Sequence, residues 1–335
     1  MIHPVRQRKI RLMMVALALI LLAAFVVSVA TGYASLSPAR LWSTLIGQGT
    51  AKERLILFEF RLPRIFIAIL AGAGLALSGA LLQSVTRNPL ADPGILGINA
   101  GAGLAVVCYM LYFPADPGSL VFLLPVFAFL GGTMAAVLVY VLSWRRGEGA
   151  EPTKLVLVGV GIAAACSGAI LTLASSLERE QYDFFAQWMA GKIWGDDQIF
   201  VLALLPWLLI GFPVAWAKSR VLNTLSLHEH VSAELGVPLE RERILAVLIA
   251  VALASASVSV GGGIAFIGLM APHIARSLVG PRHQILLPAA ALIGAILLLV
   301  ADTIGRVLLD SVGIPAGLVL SVIGAPYFMY LMARK

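Results

Sequence analysis

The residues from Arg61 to Gly103 restrict the fold of this chain more than any other stretch. Two arginines bracket a Leu-Pro pair, a hydrophobic run rich in Gly and Ala follows, and an Asn-Pro-Leu-Ala turn leads into more glycine-rich sequence. Glycine inside a soluble helix costs about 1 kcal/mol relative to alanine. In a membrane the same small residues let helices approach closely and become packing surfaces. The stretch therefore predicts closely packed transmembrane helices.

Composition favours lipid as the main solvent of this chain. Its 335 residues are 60% hydrophobic and 12% charged, with a mean hydropathy of +0.96. Soluble domains contain about 25% charged residues. The net charge of +7 is spread between apolar runs instead of forming one basic patch, so nucleic acid is not a predicted partner. Cys108 and Cys166 lie in hydrophobic stretches and are predicted to be buried apolar side chains, neither disulfide-bonded nor metal-binding.

Ten apolar runs predict an all-α polytopic membrane protein with about ten transmembrane helices. The first run exceeds the roughly 7–15 residues of a signal-peptide core and suits the ~20 needed to cross a bilayer, so it is predicted to be a retained span. The eighth run is the shortest. The predicted spans are Leu12–Thr31, Leu62–Val85, Pro93–Phe113, Leu120–Trp144, Leu155–Leu177, Ile199–Trp216, Ile244–Val260, Ile264–Leu278, Ile285–Leu309 and Ala316–Met332.

The distribution of Lys and Arg predicts the orientation. Sixteen of these residues fall on the side that carries both termini in a ten-span topology, and eight fall on the other side. Cytoplasmic loops carry the excess of positive charge, so both termini are predicted to be cytoplasmic. Most acidic residues fall on the opposite, outer face.

The chain is predicted to form a single transmembrane domain, 1–335, made of two weakly similar halves. The halves cover approximately 1–197 and 198–335. The run Arg64–Ser78 resembles Arg243–Ser257, and these runs begin spans that cross the membrane in opposite directions. Inverted repeats of this kind are typical of transporters.

The sequence contains no convincing catalytic or ion-coupling group, and the chain is predicted not to be an enzyme. Asp302 is the only fair candidate for an ion-coupled secondary transporter, and Arg306 one helical turn later favours a local ion pair. No Walker phosphate loop is present, so ATP and magnesium are expected on a separate subunit, with no cofactor or metal held by this chain. Structural or solvated roles are predicted for the histidines of the inner loops: His228, His230, His273 and His283.

Several motifs, taken in order, resemble the FecCD family of bacterial ABC-transporter permeases, which import ferric siderophores, haem or cobalamin. The resemblance covers nearly the whole chain and includes similarity to the cobalamin permease. The motifs are Arg61-Leu-Pro-Arg64, Ser78–Gln83, Asn88–Gly97, Gly195, Gly268–His273, Asp302 with Arg306, and Gly324–Leu331. The resemblance implies an assembly of two permease subunits, two cytoplasmic ABC ATPases and an extracytoplasmic substrate-binding protein in the bacterial cell membrane.

Two sets of site residues follow from the resemblance. Arg61, Arg64 and Arg306 match the outward arginines that dock on acidic residues of the binding protein, and a guanidinium group suits bidentate carboxylate contact. The segment Leu225–Val237 resembles a diverged ATPase-coupling motif, with Gly236 at a position that suits a helix C-cap. The predicted coupling residues are Glu229, Ser232, Ala233, Gly236, Pro272 and His273.

The expected function is ATP-driven alternating access at the interface of two permease subunits. The lining is expected to be small and weakly polar, because a path that binds its cargo tightly cannot release it. Ferric siderophore is the expected cargo, with cobalamin and haem as alternatives. A homodimer and a heterodimer with a related permease are both compatible with the sequence.

Overall fold

A computed structural model describes residues 4–31, 38–113, 117–145, 149–194, 197–226, 238–308 and 313–333. These residues are almost entirely helical, as predicted. Besides turns and short connections, the described residues include a two-residue antiparallel pairing of β1, Trp144–Arg145, with β2, Gly149–Ala150. The fold class is therefore all-α.

Fourteen α-helices follow one another along the described residues. They are α1 Pro4–Ala30, α2 Pro38–Leu45, α3 Ala51–Arg54, α4 Leu62–Thr86, α5 Ile98–Tyr112, α6 Pro117–Leu142, α7 Pro152–Ala174, α8 Arg179–Met189, α9 Gln198–Ala217, α10 Ser219–Leu225, α11 Leu239–Gly261, α12 Ile267–Val279, α13 His283–Leu308 and α14 Ala316–Ala333. A π-helical segment, Leu55–Arg61, joins α3 to α4, and a 3₁₀ turn, Pro93–Leu96, precedes α5.

Apolar helices occupy all ten predicted positions within the described part of the chain. Eight of them are long and apolar enough to cross a membrane. The other two, α5 and α12, have 15 and 13 residues. At 1.5 Å per residue they fall short of the ~30 Å hydrocarbon core. They correspond to the predicted third and eighth spans.

Three predicted boundaries were wrong, each for a local reason. The second span was predicted to start at Leu62, but the helix runs without interruption through the π-helical segment, over Ala51–Thr86. The third span is split by the 3₁₀ turn, after which Gly97 adopts a left-handed conformation with φ of 69°. The eighth starts at Ile267 because Phe266, with φ of 68°, interrupts the helical path from Ile264.

The core lies around α4, α11 and α13. In the most apolar 18-residue stretch of each of these helices, 83%, 72% and 56% of the residues are buried, against 17% for α1 and 11% for α7. Glycines make this packing possible: a Cβ atom on Gly294 of α13 would lie 2.3 Å from the carbonyl oxygen of Gly72 on α4. Backbones therefore touch directly between α4 and α13. Cys108 and Cys166 are free thiols, each partly rather than fully buried.

Candidate functional site

A cluster of charged side chains joins α4 to α13 at the predicted outer end of the bundle. Arg64 on α4 donates to Asp302 Oδ1 from Nε at 3.0 Å and from Nη2 at 2.9 Å. Arg306 on α13 donates from Nε to Asp302 Oδ2 at 2.9 Å. Both oxygens of one carboxylate are thus held by arginines. The local ion pair predicted between Asp302 and Arg306 is confirmed.

The cluster also holds the end of α1. Arg306 Nη2 donates to Ser28 Oγ at 2.6 Å, and Arg61 Nη1 donates to the carbonyl oxygen of Val29 at 2.8 Å. A helix end leaves its last carbonyl groups without helical partners. Arginines that reach these carbonyls satisfy them and fix α1 against α4 and α13.

The three arginines predicted to dock the binding protein differ in how much of each is exposed. Arg61 is 7% exposed, while the side chains of Arg306 and Arg64 are 15% and 23% exposed. Among the residues that the structure describes, the three guanidinium groups and the Asp302 carboxylate have a combined formal charge of +2. The structure brings all three predicted arginines together, and Arg64 is the one most open to a partner. Their docking role stays a prediction.

A second cluster forms at the predicted inner end, where sequence motifs about 180 residues apart meet. Gln83 of α4 places Nε2 within 3.4 Å of the carbonyl oxygens of Ala91, Gly268 and Leu269. Asp92 Oδ1 accepts from the backbone N–H of Gly94 at 2.8 Å and caps the 3₁₀ turn. The Asn-Pro-Leu-Ala turn is thereby packed against the start of α12.

Asp92 is the one carboxyl at this inner cluster. Its burial raises its pKa to about 6, against the opposing effect of the N–H donors of Gly94 and Leu269. Gly268 permits the approach, since a Cβ atom there would lie 2.4 Å from Pro93 Cδ and 2.9 Å from Asp92 Oδ2. The motif residues therefore pack a turn onto a helix, and any larger side chain at Gly268 displaces that turn.

The residues predicted to couple to the ATPase fall into two groups. Glu229, Ser232, Ala233 and Gly236 lie outside the described residues, as do Gly195, His228 and His230. Pro272 and His273 lie inside α12, in keeping with the predicted span Ile264–Leu278, so the grouping of His273 with the histidines of the inner loops was wrong. Pro272 is buried, and the ring of His273 packs edge-on against Tyr327 with centroids 6.0 Å apart. Their coupling role stays a prediction.

His283 is the polar residue at this end that the sequence left unassigned beyond a structural or solvated role. It is 1% exposed and contacts Ser84 and Asn223. Its position directly before an apolar helix offered no signal, because Ser84 and Asn223 belong to distant parts of the chain.

An apolar crevice of about 420 Å³ lies between α6 and α11. Tyr140 and Thr133 are its polar lining residues, among those the structure describes. Within the described ranges, no group of three or more His, Cys, Asp or Glu side chains is arranged to hold a metal ion.

The fold and its close-packed core define a multi-pass helical membrane protein. A solved chain from a transporter assigned to the metal-chelate type of ABC transporters, in an inward-facing conformation, superposes with a TM-score of 0.83. The two chains are 30% identical, and the match covers 97% of this chain and 100% of that one. The chain belongs to the FecCD transport family, whose match spans residues 20–334.

Curated relatives agree with this membership. The iron(3+)-hydroxamate import permease FhuG of Bacillus subtilis is 43% identical over 94% of this chain and 95% of its own length. The Fe(3+) dicitrate permease FecD of Escherichia coli is 38% identical over 83% and 85%. The hemin permease HmuU of Yersinia pestis is 35% identical over 97% and 96%.

Proposed function

We propose that this chain is the membrane subunit of a binding-protein-dependent ABC importer for ferric siderophores. Membership of the FecCD family carries the proposal, since relatives of the chain are named for ferric hydroxamate, ferric citrate and hemin import. Haem and cobalamin are the alternative cargoes. The proposed location is the bacterial cell membrane with both termini cytoplasmic, in keeping with the two-to-one bias of Lys and Arg.

The geometry of Asp302 disfavours the alternative of an ion-coupled secondary transporter. An intramembrane acid that cycles a proton or sodium ion must be able to release its partners. Both Asp302 oxygens are occupied by arginines, and the Asp302 side chain is 1% exposed. A carboxylate paired in this way is a structural anchor, so the energy for transport is assigned to a partner ATPase.

A second permease subunit is proposed to cover the small-residue face of α7. The exposed stripe of this helix contains Gly161, Ala164, Ala165 and Gly168, and a Cβ atom on either glycine would meet nothing within 4 Å. Leu157, Val160 and Leu171 of α7 are exposed as well, so the small residues lie among larger apolar side chains, whereas the exposed residues of α1 include Leu, Ile and Val but no glycine. Small residues let helices from two subunits approach closely, so the α7 face fits a protein partner better than acyl chains.

The substrate-binding protein is proposed to dock over the arginine cluster through acidic side chains. The net charge of +2 of the arginine cluster and the partial exposure of Arg64 support this contact. An arginine that already holds Asp302 can still offer its remaining surface to a carboxylate, because the guanidinium group has five N–H donors. The segment after α10 is proposed to contact the ATPase, with ATP and magnesium bound there and not by this chain.

Uptake of ⁵⁵Fe-labelled ferric siderophores by cells that depend on this chain tests the proposal. Arg64→Glu is expected to reduce uptake with normal membrane insertion, and a charge reversal on the binding protein should restore it. Lys52→Glu is the matched control, because Lys52 is exposed and predicted to lie on the same face outside the cluster. Equal uptake by Arg64→Glu and wild type would refute docking at the cluster; absence of chain-dependent uptake of ferric siderophores would refute the cargo.

A further inference from the structure

His283 begins α13, and its imidazole is enclosed where three helices meet at the end of the bundle opposite the arginine cluster. Nε2 lies 2.6 Å from Ser84 Oγ on α4, and Nδ1 lies 2.9 Å from Asn223 Oδ1 on α10. The backbone N–H of His283 donates to the same Asn223 oxygen at 2.9 Å. One side chain therefore links α4, α10 and α13 through direct polar contacts.

The hydrogen bonds determine which way the Asn223 amide points and which nitrogen of His283 carries a hydrogen. A backbone N–H can only donate, so the Asn223 atom it contacts is the amide oxygen, and Asn223 Nδ2 is left to donate to Gln284 Oε1 at 3.0 Å. Asn223 Oδ1 must also be the acceptor for the imidazole ring, so Nδ1 of His283 carries a hydrogen. Ser84 Oγ has a single hydrogen, which it donates either to Nε2 of the neutral ring or to the carbonyl oxygen of Ala80, 2.8 Å away. Both ring nitrogens are engaged by different helices.

The α10 helix leads directly into the segment proposed to contact the ATPase. Its buried face is formed by Leu222 and Leu225, which are 2% and 1% exposed. Arg87, at the end of α4, donates from Nε to the carbonyl oxygen of Leu225 at 3.2 Å. With the Asn223 contact, α10 is held against the ends of both α4 and α13.

The same two helices carry the arginine cluster at their other ends. Ser84 follows Arg64 by 20 residues on one helix, so the two side chains are separated by about 30 Å along its axis. Between them, Gly72 and Gly294 bring the α4 and α13 backbones into contact. Close contact of the two backbones favours movement of α4 and α13 as one body, because any shift of one helix meets the other directly.

We propose that His283 is a positioning residue for transport, which transmits displacement of α10 to the α4–α13 pair and so to the docking arginines. The inference rests on the proposed function, because it assigns ATPase contact to the segment after α10. It predicts that loss of the His283 contacts lowers the uptake per ATP hydrolysed. A purely structural role predicts that assembly, hydrolysis and uptake fall together.

The test uses the complete transporter, purified through a tag on this chain with the subunits that accompany it and reconstituted in vesicles. ATP hydrolysis and ⁵⁵Fe-siderophore uptake are measured together, with the loaded binding protein supplied. His283→Ala is expected to lower the uptake per ATP hydrolysed about tenfold, which corresponds to about 1.4 kcal/mol of lost coupling. His283→Gln, whose amide can still reach Ser84, should recover part of the ratio.

Each outcome decides between the two roles. An unchanged ratio in His283→Ala overturns the proposal. If that variant does not assemble, Ser84→Ala carries the same test, since it removes only the hydroxyl that contacts Nε2. Failure of both variants to assemble, or a normal ratio in Ser84→Ala, assigns His283 a structural role and also overturns the proposal. Failure of the wild-type complex to take up any siderophore refutes the proposed cargo instead.

Discussion

Replacement of Asp302 by Asn removes the negative charge that pairs with Arg64 and Arg306. The carboxylate receives three hydrogen bonds of 2.9–3.0 Å from Arg64 and Arg306, and its side chain is 1% exposed. An Asn side chain offers one carbonyl oxygen, and its NH₂ group faces the other guanidinium, where a donor meets a donor. Removing one partner of a buried ion pair costs about 3–5 kcal/mol. We expect a loss of this size in the free energy of unfolding.

Unfolding of the purified subunit in detergent micelles, followed by circular dichroism, measures this loss. Glu53→Gln is the control: its partner Arg40 is 71% exposed, so little change is expected. In Asp302→Asn with Arg306→Gln, the combined loss should be smaller than the sum of the single losses, because both changes break one shared contact. A decrease below about 1 kcal/mol for Asp302→Asn, the range of surface pairs, would refute the anchoring role.

Three further predictions concern packing, assembly and pH. Gly294→Ala should destabilise the subunit by about 1–3 kcal/mol in the same unfolding assay, because the new Cβ meets the Gly72 carbonyl, whereas Gly161→Ala should not. Gly161→Cys, in a background that lacks the two native cysteines, should form a disulfide between subunits on mild oxidation; its absence in assembled transporter would contradict the α7 interface. Asp92 has a folded pKa of about 6, above its usual 3.8, so its contribution to stability is present at low pH and is lost as pH rises through 6. Unfolding of Asp92→Asn should lack that decline, which is on the order of 3 kcal/mol for a pKa shift of about two units.

Much of the fold could be predicted because hydrophobic length and small-residue content report directly on membrane crossing. All ten predicted apolar segments coincide with helices. Two of the three boundary errors occurred at Gly97 and Phe266, where the backbone turns left-handed. Glycine makes such a turn at little cost, whereas for Phe266 the surrounding packing must compensate. A hydropathy pattern shows neither of these two left-handed turns. The weak similarity of the two halves and the division at residue 197 stay predictions.

The candidate site was predictable only in part. The spacing of Asp302 and Arg306 indicated their ion pair, because residues four apart share one face of a helix. The same reasoning could not supply Arg64 as the second partner, 238 residues away. Nor could it show that Arg61, next to Arg64 in the motif, is turned inward to Val29. The resemblance grouped these residues by expected role, whereas the structure shows what each one contacts.

The sequence by itself determined that this is a membrane protein. It also determined the approximate positions of the helices along the chain and the family of transport proteins to which the chain belongs. These properties depend on composition and order along the chain, and they survive without knowledge of any contact. Only the tertiary structure decided that α4 and α13 pack as a pair, with Arg64 and Asp302 near one end and Ser84 and His283 near the other. Such pairings depend on which helix faces meet, and periodicity within one helix carries no information about its neighbour.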